Sequence, residues 1–193
     1  STQGEAQLAQ GALRQFQARG ELDANAPEIG PAKLRFSASG DPHLVKLDEL
    51  RLTSPNRPLN LTATGEIQLA DLRFAASGQW QALTWPLRGV AQVESAKGEF
   101  AVEGAPQDYR FRVAADLQGP NVPQGRWTVA GQGSDQAVRE VKLVGQLLEG
   151  SVQADVDAAW KPAVGWRATV SGQGLNPGAH WKDVPGKLNF RLN

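Results

Sequence analysis

The sequence predicts an all-β fold built as an antiparallel sheet with hairpin connections. Three observations carry this reading. Apolar and polar residues alternate with a period of two through most of the chain, as they must when successive side chains point to opposite faces of a strand. Gly-, Pro- and Asn-rich turn signals separate the runs: GDPH at 40–43, SPNRP at 54–58, GAPQD at 104–108, GPNVPQG at 119–125, WKPAVG at 160–165 and LNPG at 175–178. No segment has a convincing i, i+3, i+4, i+7 apolar pattern.

Taken in order, the first clear strand carries Phe16, Ala18, Gly20, Leu22 and Ala24 on one side and Gln15, Gln17, Arg19, Glu21 and Asp23 on the other. Leu34, Phe36 and Ala38 then oppose Lys33, Arg35 and Ser37. Lys46 to Leu52 is ambiguous: Leu47 and Leu50 have helical spacing, whereas Leu50 and Leu52 continue a strand. Leu59, Leu61, Ala63, Gly65, Ile67 and Leu69 alternate with Asn60, Thr62, Thr64, Glu66 and Gln68. Leu72, Phe74, Ala76, Gly78 and Trp80 follow, and then Gly98, Phe100 and Val102. Tyr109, Phe111, Val113, Ala115 and Leu117 face away from Arg110, Arg112 and Asp116. The later apolar faces are Trp127 and Val129; Val141, Leu143, Gly145 and Leu147; Val152, Ala154 and Val156; Val164, Trp166, Ala168 and Val170; and Leu188, Phe190 and Leu192. About twelve strands spaced at about 4.8 Å would extend on the order of 60 Å.

Composition narrows the function. Twenty Lys and Arg balance twenty Asp and Glu, which argues against a nucleic-acid partner. There is no Cys and there are only two His, so no disulfide framework, thiolate chemistry or persuasive metal or triad set is expected, and no cofactor is implied. Asp41, His43, Asp48 and Glu49 form the densest group of potential ligands, and His180 with Asp183 a thinner one; both read as solvated turns. GQGSDQ at 131–136 lacks the third Gly of a dinucleotide loop and no helix follows it. NLT at 60–62 falls inside a strand pattern and reads as chance. An enzyme is therefore not expected. The absence of Met and of a targeting segment suggests a fragment of a longer chain.

The apolar faces are rich in Ala and Gly. Small inward residues could leave an open channel between curved walls, or they could let sheets approach closely in a sealed sandwich. A membrane barrel would carry aromatic girdles at both interfaces, but aromatics make up only 7% of this chain. Trp80, Trp127, Trp160 and Trp166 fall on the apolar phase, either as ordinary core or as the lining of a lipid-accessible trough. Arg110, Arg112, Lys33 and Arg35 fall on the polar phase. A loose repeat is visible: FAASGQW at 74–80 with ATVSGQG at 168–174, TATGEIQL at 62–69 with KLVGQLLE at 142–149, and WPLRG at 85–89 with VPGKL at 184–188.

These same segments resemble a known family. Residues 36–89 carry an ASG strand end, a His-x-Val-x-Leu strand, a Leu-x-Ala-x-Gly strand and a Trp before Pro-Leu-x-Gly. Together with GLNPG at 174–178 and WKDVPG at 181–186, they resemble the repeating units of the TamB family, long periplasmic members of the AsmA-like group. The likeness runs from about Ala32 to Leu188, with repeat units at about 32–89 and 125–188. GPNVPQG and Val90 to Gly104 match less well, and the first thirty residues match only as generic strands.

The resemblance implies one continuous sheet over 1–193, taco-shaped, an open U-shaped groove with an apolar concave face. The groove would be lined by Leu34, Phe36, Leu61, Ile67, Leu69, Leu72, Phe74, Trp80, Phe100, Val102, Phe111 and Val113. Its second half would be lined by Leu117, Trp127, Val129, Val141, Leu143, Leu147, Val152, Val156, Trp166, Val170, Leu188 and Phe190. It further implies a periplasmic protein of Gram-negative bacteria, tethered to the inner membrane by a segment outside this chain. It implies action with the outer-membrane barrel TamA, phospholipid acyl chains as cargo between the two membranes, and support of outer-membrane biogenesis and protein secretion through the translocation and assembly module. The alternative is a chaperone-like module that holds nascent outer-membrane protein strands by β-addition. No catalytic residues come with the family. An exposed apolar trough would also favour self-association of the isolated chain.

Overall fold

A computed structural model describes residues 2–9, 12–26, 30–87 and 89–193. Arg88 and the side chain of Ala24 lie outside the described residues. Thirteen strands follow one another: β1 Thr2–Ala9, β2 Ala12–Ala26, β3 Gly30–Gly40, β4 Leu44–Ser54, β5 Arg57–Gln68, β6 Phe74–Trp85, β7 Val93–Ala105, β8 Asp108–Gly119, β9 Val122–Gly133, β10 Ala137–Leu147, β11 Gly150–Ala159, β12 Gly165–Leu175 and β13 Leu188–Leu192. They form a single antiparallel sheet whose spatial order is the order of the chain. β1 and β13 each pair with one neighbour, so the sheet is not closed into a barrel. A one-turn 3-10 helix, Pro177–Ala179, lies between β12 and β13. The strand missing from the sequence reading is β1, whose TQGEAQLA shows only a weak apolar phase.

Among the described residues, no second layer covers this sheet. The accessible surface is 12965 Å², against about 8,900 Å² for a compact monomer of this mass. Close contacts between elements are dominated by strands adjacent in sequence. No large side chain is fully buried among the described residues, and six of the nine buried apolar residues are Ala. A sandwich would have sealed bulky side chains between its layers.

The sheet is curved, with the apolar face as its inner face and the polar face as its outer one. On the apolar face, Ala63, Ala115 and Ala154 keep 8–9% of their surface. On the opposite face, Ala101 and Ala130 are exposed. Two alanines of the outer face are also buried: Ala114, between its partners Glu99 and Thr128, and Ala137, opposite Ala159 at the start of β10.

Bulges resolve the ambiguity around residue 47. The register of β4 shifts between Leu47 and Leu50, so the three-residue step that resembles a helix is an extra residue in a strand. A similar break lies between Val138 and Val141, with Glu140 at φ 52°, and another displaces β7 between Ser95 and Lys97. Each bulge bends its strand and adds local twist; those in β4 and β10 keep Leu47 and Leu50, and Val138 and Val141, on the inner face.

The β3–β4 turn is stabilised by Asp41. One of its carboxylate oxygens accepts the backbone N–H of His43 at 2.7 Å and of Leu44 at 2.9 Å. These two donors, His43 first, hold the carboxyl below its ordinary value. A depressed folded-state pKa contributes stability above the unfolded value, and that stability is lost as pH falls through the folded one. Asp41→Asn keeps an acceptor but removes the titration. We therefore expect urea midpoints of parent and variant to converge as pH falls below about 4, and equal separation at all pH values would refute this role. On the outer face, Glu21 accepts from Lys33 at 2.9 Å and Arg35 at 2.8 Å, which lowers the Glu21 carboxyl and raises the Lys33 ammonium.

Candidate functional site

Residues directly opposite one another in a ladder share a face, so the register can be followed across the whole sheet. One row reads Gly20, Phe36, Leu50, Ala63, Gly78, Phe100, Val113, Val129, Leu143, Ala154, Val170 and Leu192. The row beside it reads Leu22, Leu34, Leu52, Leu61, Trp80, Gly98, Ala115, Trp127, Gly145, Val152, Gly172 and Phe190. From β2 to β13 neither row contains a polar residue. A third row adds Val102, Phe111, Val141 and Val156. Together they make an apolar furrow along the inner face.

The remaining expected lining residues sit at the margins. Ile67 and Phe74 are opposite one another where β5 and β6 meet their turn. Leu117 and Leu147 both pair with Gly125, and Leu188 faces Leu175. Trp166 opposes Ala158 at the start of β12 and is 77% exposed, since β13 reaches only as far as Val170. Leu69 and Leu72 lie outside the strands in the β5–β6 connection. Leu69 bonds through its backbone to the His43 carbonyl at 2.7 Å, and Leu72 has φ 55°; both side chains are exposed.

The glycines on this face have a use that the sequence left open between two readings. Each of eight lies beneath the ring of the residue directly across the ladder: Gly20 under Phe36, Gly40 under Phe16, Gly78 under Phe100, Gly98 under Trp80, Gly131 under Phe111, Gly133 under Tyr109, Gly145 under Trp127 and Gly172 under Phe190. A Cβ on Gly20, Gly98, Gly133 or Gly172 would overlap the ring. Aromatic side chains therefore lie down on the sheet instead of standing across the furrow, a known partnership of ring and glycine in sheets. Gly131 and Gly133 of GQGSDQ belong to this set, and a strand follows them.

Sequence reasoning missed Ser95. It occupies the apolar face of β7 at 4% exposure, accepting the Trp80 indole N–H at 2.8 Å and donating to the Lys97 carbonyl at 3.1 Å. The bulge beside it hides its phase. Leu175, 4% exposed, and Leu59, 7% exposed, also belong to the interior.

Clefts of about 640 and 480 Å³ lie on the other face. They are gaps between Lys46, Glu66, Glu103, Arg110 and Arg112, floored by Thr64, Ser77 and Ala101. Their mixed charge favours neither anion nor cation. The furrow runs on from strand to strand, whereas the clefts are local. Among the described residues, no group of three or more His, Asp or Glu could hold a metal ion. No helix there is long and apolar enough to cross a membrane.

Of the resembling segments, 74–80 and 168–174 fall on β6 and β12, which run in the same direction, whereas 62–69 and 142–149 fall on β5 and β10, which run in opposite directions. No solved structure matches the chain. Residues 56–193, well over half of it, match the family described as TamB, N-terminal domain. The chain thus belongs to the TamB family.

Proposed function

We propose that this chain is a periplasmic part of a TamB-like protein that shields phospholipid acyl chains in its furrow as they pass between the inner and outer membranes. In this reading it is tethered to the inner membrane through a segment beyond this chain, works with the outer-membrane barrel TamA and supports outer-membrane biogenesis. The observation that carries the proposal is the pair of wholly apolar rows running from β2 to β13, with no layer above them among the described residues. The eleven inter-strand steps of these rows, about 4.8 Å each, span about 53 Å. A methylene leaving water gains about 0.8 kcal/mol, so an acyl chain gains on the order of 10 kcal/mol. Successive rungs offer similar apolar surface, which keeps the barrier to sliding small while the headgroup stays in water. None of this asks for a catalytic group.

A photo-crosslinking residue at Phe74, Phe111 or Leu143 should capture phospholipid, while one at Arg73 or Arg112 on the opposite face should not. Equal labelling of both sets would overturn the proposal.

A second reading has a specific observation in its favour: the outer edges of β1 and β13 are unpaired among the described residues. Such edges can accept an added strand, for example from a nascent outer-membrane protein, through backbone hydrogen bonds. Binding of that kind would be weakened by Glu5→Pro in β1 and little changed by Leu143→Arg, the reverse of what the furrow requires.

A further inference from the structure

Two closely similar hexapeptides flank β12. WKPAVG, residues 160–165, precedes it, and WKDVPG, residues 181–186, follows the 3-10 helix at its other end. Each pushes an apolar side chain into solvent: Val164 is 85% exposed and Val184 54%. Trp160 and Trp181 stand beside them, 43% and 40% exposed.

Neither segment hangs free. Trp160 donates its backbone N–H to the Gln136 carbonyl at 3.0 Å and its indole N–H to the Asp135 carbonyl at 2.8 Å, both in the β9–β10 turn. At the other end, the Asn176 backbone N–H bonds the Leu148 carbonyl at 2.7 Å and its side chain bonds Glu149 at 2.8 Å. His180 lies 3.2 Å from the Pro120 carbonyl and edge-on to Trp181, with ring centroids 4.6 Å apart. Neighbouring turns thus hold both loops in place while their apolar tips remain uncovered.

Charge completes the pattern. No Asp or Glu occurs from residue 158 to 182, a stretch that carries Lys161, Arg167 and Lys182; Asp183 follows inside the second loop and Asp157 lies across the ladder from Arg167, leaving three cations to two acids over residues 157–183. None of these three cations is in an ion pair among the described residues. Indole rings favour the boundary between hydrocarbon and water. Lysine and arginine beside them suit lipid phosphates, their stems lying along apolar surface.

We infer that the two loops flanking β12 dock this chain onto the surface of a phospholipid bilayer, with Val164 and Val184 entering the headgroup boundary and Lys161, Arg167 and Lys182 meeting phosphates. This contact is separate from occupancy of the furrow. Because the loops sit at opposite ends of β12, about 33 Å apart, it would lay that strand, at one end of the trough, along the membrane surface.

The test is flotation of the 193-residue chain with vesicles of phosphatidylcholine and phosphatidylglycerol. Parent protein should float with these vesicles, and less so in high salt. The double variant Val164→Asp, Val184→Asp should float at least about tenfold less with an unchanged near-ultraviolet circular dichroism spectrum. Leu143→Arg should float as the parent does, even where it loses captured lipid. The inference fails if the parent does not float or if the double variant floats equally. It also fails if Leu143→Arg abolishes flotation, because the furrow would then be the attachment. It fails, too, if sedimentation shows the loops joining two copies of the chain without binding vesicles.

Discussion

Gly98→Val should lower the melting temperature by roughly 4–16 °C and shift tryptophan emission to the red. The Cβ of any residue at 98 falls within the Trp80 indole. The ring must lift, and when it does its N–H leaves Ser95 Oγ, now 2.8 Å away. Forcing volume into a packed site costs about 1–3 kcal/mol, and the lost hydrogen bond adds about 1 kcal/mol. For a chain of this size each kcal/mol is worth about 2–4 °C. Gly165→Val is the matched control, since nothing lies within 4 Å of a Cβ there, and its melting temperature should stay near that of the parent. Equal melting temperatures for Gly98→Val and the parent would show that the ring does not rest on the glycine. The lifted indole would also stand in the furrow, so this variant should lose captured lipid even under conditions where it remains folded.

Leu143→Arg should abolish lipid capture while leaving the sheet assembled. Leu143 lies mid-row between Val129 and Ala154. A guanidinium there keeps its water, and an acyl chain crossing it would have to strip that hydration or leave the furrow over the adjoining rungs. Forgoing about five methylenes at about 0.8 kcal/mol each weakens retention by about 4 kcal/mol, close to a thousandfold. The neighbouring Lys142 already projects to the outer face opposite Ala130 and Asp155, so Lys142→Arg, which leaves the furrow untouched, should retain lipid. Native mass spectrometry of the purified chains reads both outcomes. Undiminished phospholipid on Leu143→Arg would remove the furrow as the conduit.

Much of the fold is legible because strand alternation is local. Leu61, Ala63, Gly65 and Ile67 announce one face of β5 without reference to any partner. The reading falters where an extra residue breaks the phase. Leu47 and Leu50 imitate helical spacing across a bulge, and Ser95 looks polar although it is buried against Trp80. It falters too for β1, whose Gln, Glu and Thr give little contrast between faces. Trp166, Leu69 and Leu72 share the apolar parity yet lie at margins and turns, which depends on where each hairpin ends.

Alternation along the chain is enough to specify strands, their two faces and the turns between them, because each depends on residues within a few positions. Whether those faces merge, seal or stay open depends on register, and register is a relation between strands. Bulges and glycine-seated rings set it here. They bring Phe36, Phe100, Leu143 and Val170 into one line and lay the aromatic rings flat, so that a sheet with no covering layer keeps an open apolar furrow.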